Sequence, residues 1–196
     1  MKRISFKDSG GLNLTQAVLS GRKTMTRRAV PEHVESDAMV YAEGKSEFTR
    51  VKFEYVLKHS PYKVGDIVAI QQAYKNALKK YQWEDEYFEE MYEKSAGWTN
   101  KMFVKATIMP HHIRITDVKV ELLQDISDED CLREGIIKEY EVYITEKTIY
   151  SCPFNEKNRW YNTPREAFAA LIDKVSGRGT WDSNPLVWVY SFELVD

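Results

Sequence analysis

The stretch that most constrains the fold is Ile113-Arg114-Ile115-Thr116-Asp117-Val118-Lys119-Val120-Glu121-Leu122. Ile113 and Ile115 alternate with polar neighbours, and so do Val118, Val120 and Leu122. Thr116 and Asp117 throw the two series out of phase. Alternation specifies a strand with one buried face. A slip in phase keeps that face buried only if the strand bulges and bends. A long strand bent in its middle belongs to a strongly bent sheet or a small barrel.

The other elements are read around it. Residues 186–194 are rich in β-formers (Val187, Trp188, Val189, Tyr190, Phe192) and make the last strand. Residues 67–70 form a short apolar run after the turn signal Gly65-Asp66, and residues 4–6 alternate weakly. Residues 38–42 and 51–57 read as a hairpin around Glu43-Gly44-Lys45. Residues 102–107 and 142–150 add strand propensity. Four helices are expected. The first runs over 13–20, with Asn13 as cap and Gly21 as stop. Residues 83–94 follow, with Tyr87 and Met91 as an apolar stripe. Ser127 opens the third, with Asp130 in a capping-box arrangement and Gly135 as stop. Thr163-Pro164-Arg165-Glu166 starts the last, with Phe168, Leu171, Ile172 and Val175 as its stripe and Gly177 as stop. At 196 residues the chain is long enough for one good core. The expected fold class is α+β, a small curved barrel, mostly antiparallel, with flanking helices. It is read as a single domain over 1–196, with insertions near 32–60 and 140–162.

A net charge of −2 gives no global electrostatic case for nucleic acid, so any such case is local. Lys2, Arg3, Lys7, Arg22, Lys23, Arg27 and Arg28 crowd the first thirty residues against Asp8 alone. Cys131 and Cys152 lack the spacing of a zinc site or redox motif and read as free thiols. His111-His112 does not by itself make a metal pair, because adjacent side chains of an extended chain diverge. No metal set or cofactor is read from the sequence. The N-terminal residues offer no apolar signal region, and no apolar run reaches the length of a membrane span. The expectation is a cytoplasmic protein with no membrane partner.

The candidate site is Gly21-Arg22-Lys23-Thr24-Met25-Thr26-Arg27-Arg28, where cations and hydroxyls emerge from a rigid helix end. The plain alternative is a solvated basic face. Gln72 and Tyr74, at the end of strand 67–70, suit a cleft wall or an ordinary exit loop. Glu134 is oddly placed, since a carboxylate at a helix C-terminus meets the negative end of the helix dipole. A nearby lysine or arginine would offset that.

Gly21, Lys23, Thr26 and Arg28 form a Gly-x-Lys-x-x-Thr-x-Arg pattern that resembles the signature of the ASCH domains, relatives of the PUA RNA-binding fold. The likeness extends to residues 62–68, to Ile126-Ser127-Asp128-Glu129-Asp130 with Glu134-Gly135-Ile136, and to Trp181-x-x-Asn184-Pro185-x-Val187-Trp188-Val189. These occur in the order of the family's phage-associated branch and span nearly the full chain. Phage-type relatives usually carry a glutamate where this chain has Gln72. Segments 32–60 and 140–162 have no counterpart in the family's small hydrolases.

The resemblance implies a PUA-like barrel with a cleft beside the motif. Some small ASCH proteins hydrolyse the amide of N(4)-acetylcytidine with a lysine, a threonine and a later glutamate. Carried over by position, these are Lys23, Thr26 and Glu134. The chemistry asks for a Thr26 hydroxyl activated by a Lys23 of lowered pKa, a proton donor in Glu134 and an oxyanion partner in Arg28. Against it stands a salt bridge of Lys23 with Glu134 that merely ties the fold together. Two functions stay open. One is an enzyme acting on an N(4)-acylated cytidine or, further off, cleaving RNA. The other is a non-catalytic module that binds RNA or a nucleoside. There, Arg22, Arg27 and Arg28 would contact phosphates, Gln72 would line the site, and Tyr74 or Trp181 would stack a base.

Overall fold

The phase slip is a β-bulge. In the computed structural model, which describes residues 1–77, 92–140, 148–152 and 160–195, the alternating stretch forms strand β4 (His112–Leu122). It pairs antiparallel with β8 (Leu186–Leu194). Ile115 lies opposite Phe192 and Asp117 opposite Ser191, so Thr116 is the extra residue. Before the bulge, Ile113 and Ile115 are fully buried; after it, Val118 and Val120 are only half-buried.

The chain runs β1 (Lys2–Ile4), α1 (Leu14–Leu19), β2 (Met25–Ala29), α2 (Glu32–Ala42), α3 (Phe48–Lys58), β3 (Ile67–Ile70) and α4 (Tyr74–Ala77). After β4 come α5 (Asp128–Arg133), β5 (Ile137–Tyr140), β6 (Thr148–Ser151), β7 (Trp160–Tyr161), α6 (Pro164–Ser176), α7 (Thr180–Ser183) and then β8. The main sheet has the order β1-β3-β4-β8-β2. Only β1 with β3 is parallel. The molecule is therefore a mixed α+β structure on a mostly antiparallel sheet. The pairings leave β1 and β2 as edges among the described residues, so the small curved barrel that was expected is not closed by these strands. β5, β6 and β7 form a small antiparallel sheet of their own.

β8 is buried from Leu186 to Phe192 because strands flank it and its faces are covered. Trp188 Nε1 donates to the Val56 carbonyl of α3 at 2.9 Å, Tyr190 shares a hydrogen bond with Ser60, and Phe192 meets Phe6. Each fully buried large side chain here contributes about 1.5–3 kcal/mol relative to exposure. Phe168 and Leu171 of α6 join the same core. A smaller cluster holds Ala69, Tyr74, Ala77, Val104 and Met109.

The caps are as read from sequence: Asn13, Ser127 and Thr163 accept from the backbone N–H groups of Gln16, Asp130 and Glu166. Three expectations change. The hairpin over 38–57 is instead the helix pair α2 and α3. Val34, Ala38 and Ala42 recur every four residues, and that spacing, not the alternation, is the one that is buried. The strand over 102–107 is two short 3₁₀ turns, Lys101–Phe103 and Ala106–Ile108. Loop 176–185 contains the single turn α7, with Asp173 accepting from the N–H groups of Gly179 and Trp181. Of the helix expected over 83–94, residues 83–91 lie outside the described residues. So do residues 142–147 of the expected strand 142–150.

Candidate functional site

Backbone geometry brings the cationic turn to α5. Gly21, at φ 73°, turns the chain out of α1. The Lys23 N–H donates back to the Ala17 carbonyl, and the Thr24 N–H donates to the Arg133 carbonyl at the end of α5. The Phe192 N–H donates to the Thr24 carbonyl, which locks the turn to β8. Lys23 and Glu134, 111 positions apart, therefore lie side by side. Gly135 follows at φ 105°, and a Cβ there would sit 3.6 Å from the Lys23 Cβ.

Both charges are buried, Lys23 at 3% exposure and Glu134 at 4%. Lys23 Nζ donates to Glu134 Oε2 at 2.5 Å and to the Glu134 carbonyl at 2.9 Å. The carboxylate's other oxygen accepts from Arg27 Nη1 at 3.1 Å. Arg27 also donates to Glu121 Oε1 through Nε (2.9 Å) and Nη2 (2.6 Å), and to Asp130 Oδ2 at 2.9 Å. Lys119 closes the network on Glu121 (2.9 Å) and Asp130 (3.2 Å).

Burial pushes the Lys23 ammonium below its ordinary 10.5, against the upward pull of Glu134 and with help from Arg28 and Arg27. Burial also weighs against the charge of Arg27, but Glu134 and Glu121 outweigh it and hold its pKa up. Burial pushes the Cys131 thiol up to about 12, which leaves it inert as a nucleophile near neutrality.

A cavity of about 270 Å³ opens beside this pair. Lys23, Thr26, Arg28 and Glu134 give it a polar end, and Phe6, Leu14, Phe168 and Leu171 an apolar wall. The Thr26 hydroxyl makes no hydrogen bond to the described residues, and none joins it to Lys23. Arg28 donates to the Ser5 carbonyl at 2.5 Å and lies 5.8 Å from the Phe6 ring centre. Arg28, Lys7 and Val175 also wall a second chamber of about 880 Å³, so the two volumes adjoin across these side chains. An apolar wall with a few convergent polar groups is the usual make-up of a small-molecule site.

The structure brings together Lys23, Thr26, Glu134, Arg27 and Arg28 at the small cavity and places Gln72 in the large chamber. It does not bring in the others. Arg22 is exposed and lines neither volume. Tyr74 is buried in the smaller core cluster, its hydroxyl accepting from the Lys105 N–H. Trp181 stands behind the cavity wall, edge-on to Phe168 with Arg165 over its ring. Arg27 lines the cavity, but its guanidinium is spent on three carboxylates. Sequence reasoning missed Lys75 and Lys101 as chamber residues, and Glu121 and Asp130 as partners of Arg27. Lys7 belongs to the N-terminal basic run, the one signal that could have found it. Among the described residues no group of three or more His, Cys, Asp or Glu could hold a metal ion. No helix among them is long and apolar enough to cross a membrane.

No family model and no curated protein match this chain. Among solved structures it is similar to protein EF3133 from Enterococcus faecalis V583, described under the family model DUF984. Identity is 15% and the TM-score 0.38, over 93% of this chain and 67% of that one.

Proposed function

We propose that the protein is an ASCH-type, PUA-like protein of one domain that binds an N-acylated pyrimidine nucleoside in this cleft and hydrolyses its exocyclic amide. The observation that carries the reading is the meeting of Lys23, Thr26 and Glu134 at one small cavity, with Lys23 lowered by burial and the Thr26 hydroxyl unbonded. The acyl group lies against Phe6, Phe168 and Leu171. A neutral Lys23 Nζ takes the Thr26 proton as Oγ1 attacks the acyl carbon. Nζ donates to Glu134, so this step needs Nζ to turn or a water to bridge. The oxyanion forms beside Arg28. The carbon–nitrogen bond then breaks, the exocyclic nitrogen takes a proton from the Lys23–Glu134 pair, and water releases the acid from Thr26.

Turnover of N(4)-acetylcytidine and of other acylated nucleosides tests this. Wild type should release the free nucleoside. Thr26→Ala, Lys23→Ala and the double variant should fall to one floor, because members of a unit fail together. Turnover unchanged in Thr26→Ala, or absent from wild type across the panel, overturns the hydrolase. A second reading, binding without reaction, is favoured by the commitment of Lys23 Nζ to Glu134 through two hydrogen bonds. It predicts nucleoside or RNA affinity without turnover.

A further inference from the structure

Among the described residues, the larger chamber is lined by more positive than negative charge. Lys7, Arg28, Lys75 and Lys101 face a single carboxylate of that set, Asp8, in a chain of net charge −2. Asp8 is already used: Oδ2 accepts from Thr15 Oγ1 and Lys101 Nζ, and Oδ1 from the Thr15 N–H. Lys7 donates to the carbonyls of Lys174 and Val175, which satisfies its protons but not its charge. Lys75 is exposed at the rim and makes no ion pair with the described residues.

Arg28 is the sharpest case. Burial pushes its guanidinium below the ordinary 12.5, against the upward pull of Tyr62, Glu134 and Tyr190, and no carboxylate among the described residues lies within ion-pair distance of it. Its neighbour Arg27 holds three carboxylates. A cleft lined by one sign of charge concentrates ligands of the other. An arginine fork with several lysines suits phosphate oxygens, which accept from many directions. Gln72 and Asn76 add side-chain amides in the same chamber that make no hydrogen bond to the described residues.

We infer that the ligand carries a phosphate beside its base, held in the larger chamber by Arg28 and Lys75 with Lys7 and Lys101. The nucleotide, free or within a strand, is thus preferred over the bare nucleoside. This rests on the nucleoside reading for what fills the smaller cavity.

Calorimetry at low salt with cytidine, cytidine 5′-monophosphate, cytidine 3′-monophosphate and inorganic phosphate tests it, on wild type and Lys75→Ala. Lys75 is exposed, so the variant folds. At least one monophosphate should bind about tenfold tighter than cytidine, and Lys75→Ala should remove most of that gain while leaving cytidine unchanged. A short cytidine-containing oligoribonucleotide separates the sources. A strand binds tighter than the monophosphate and loses about one unit of salt slope in Lys75→Ala; a free nucleotide site shows no gain from the strand. Cytidine and both monophosphates binding alike overturns the phosphate and leaves the nucleoside reading standing. Inorganic phosphate binding that weakens in Lys75→Ala, with no affinity for cytidine, overturns the nucleoside reading and keeps the anion site. No binding of any probe overturns both.

Discussion

Arg27 fixes the charge balance of the site. It is the common partner of Glu121, Asp130 and Glu134, and its side chain is almost wholly buried. Removing one member of a buried ionic set strands the others, at about 3–5 kcal/mol. Arg27→Met should therefore lose about that much in urea unfolding. Lys23→Met should lose less, because Glu134 keeps Arg27. The two lysine states also set a pH limb. Lys23 binds its proton more weakly folded than unfolded, so stability rises with pH from its lowered folded value up to 10.5. Unfolding free energy followed across alkaline pH should show that rise in wild type and not in Lys23→Met. Asp130 works in the opposite range. Burial raises it, but hydrogen bonds from Arg27 and Lys119 outweigh that and hold it below 3.8. Its contribution is full above 3.8 and is lost as pH falls through the lowered value, so Asp130→Asn should flatten the acid limb. At this scale the sequence was legible where a residue broke a local rule: Glu134 at the wrong end of a helix dipole pointed to a cation. It was not legible where partners are remote. Nothing near Arg27 marks Glu121 and Asp130, 94 and 103 positions on, as its acceptors. Nor does an aromatic beside a strand end disclose that Tyr74 buries its ring.

Among elements, capped helices and the bulged strand were readable because their signals are local. Thr163→Ala should cost about 0.5–2 kcal/mol through the lost cap of α6, measured by denaturant melting. The α2–α3 pair was misread because Val51, Phe53, Tyr55 and Leu57 alternate like a strand. Which periodicity governs is decided by the core, and the core here takes Val56 and leaves Leu57 exposed. Tertiary anchoring settles it: Lys52 of α3 pairs with Glu35 of α2, and Trp188 bonds the Val56 carbonyl. A tight constraint invisible in sequence is Gly97, where a Cβ would run into the Tyr74 ring. That ring cannot retreat, since it lies in a core cluster with its hydroxyl bonded to Lys105. Gly97→Ala should lose about 1–3 kcal/mol of stability in the same melting assay, as overpacked cores do.

The whole molecule hangs on β8. It pairs with β4 on one side and β2 on the other, so the motif strand joins the sheet only through it. β8 also follows every other described strand in sequence. During vectorial synthesis, β2 and β4 leave the ribosome well before their common neighbour exists. Pairing over more than 150 positions is entropically slow. A nascent chain stalled before residue 186 should therefore be cut readily by protease around residues 25–29, and release of a stall placed beyond 194 should protect them. The cationic turn, synthesised among the first thirty residues, becomes a site only after β8 has been made. Any product interrupted before then carries the motif without the strand that holds it.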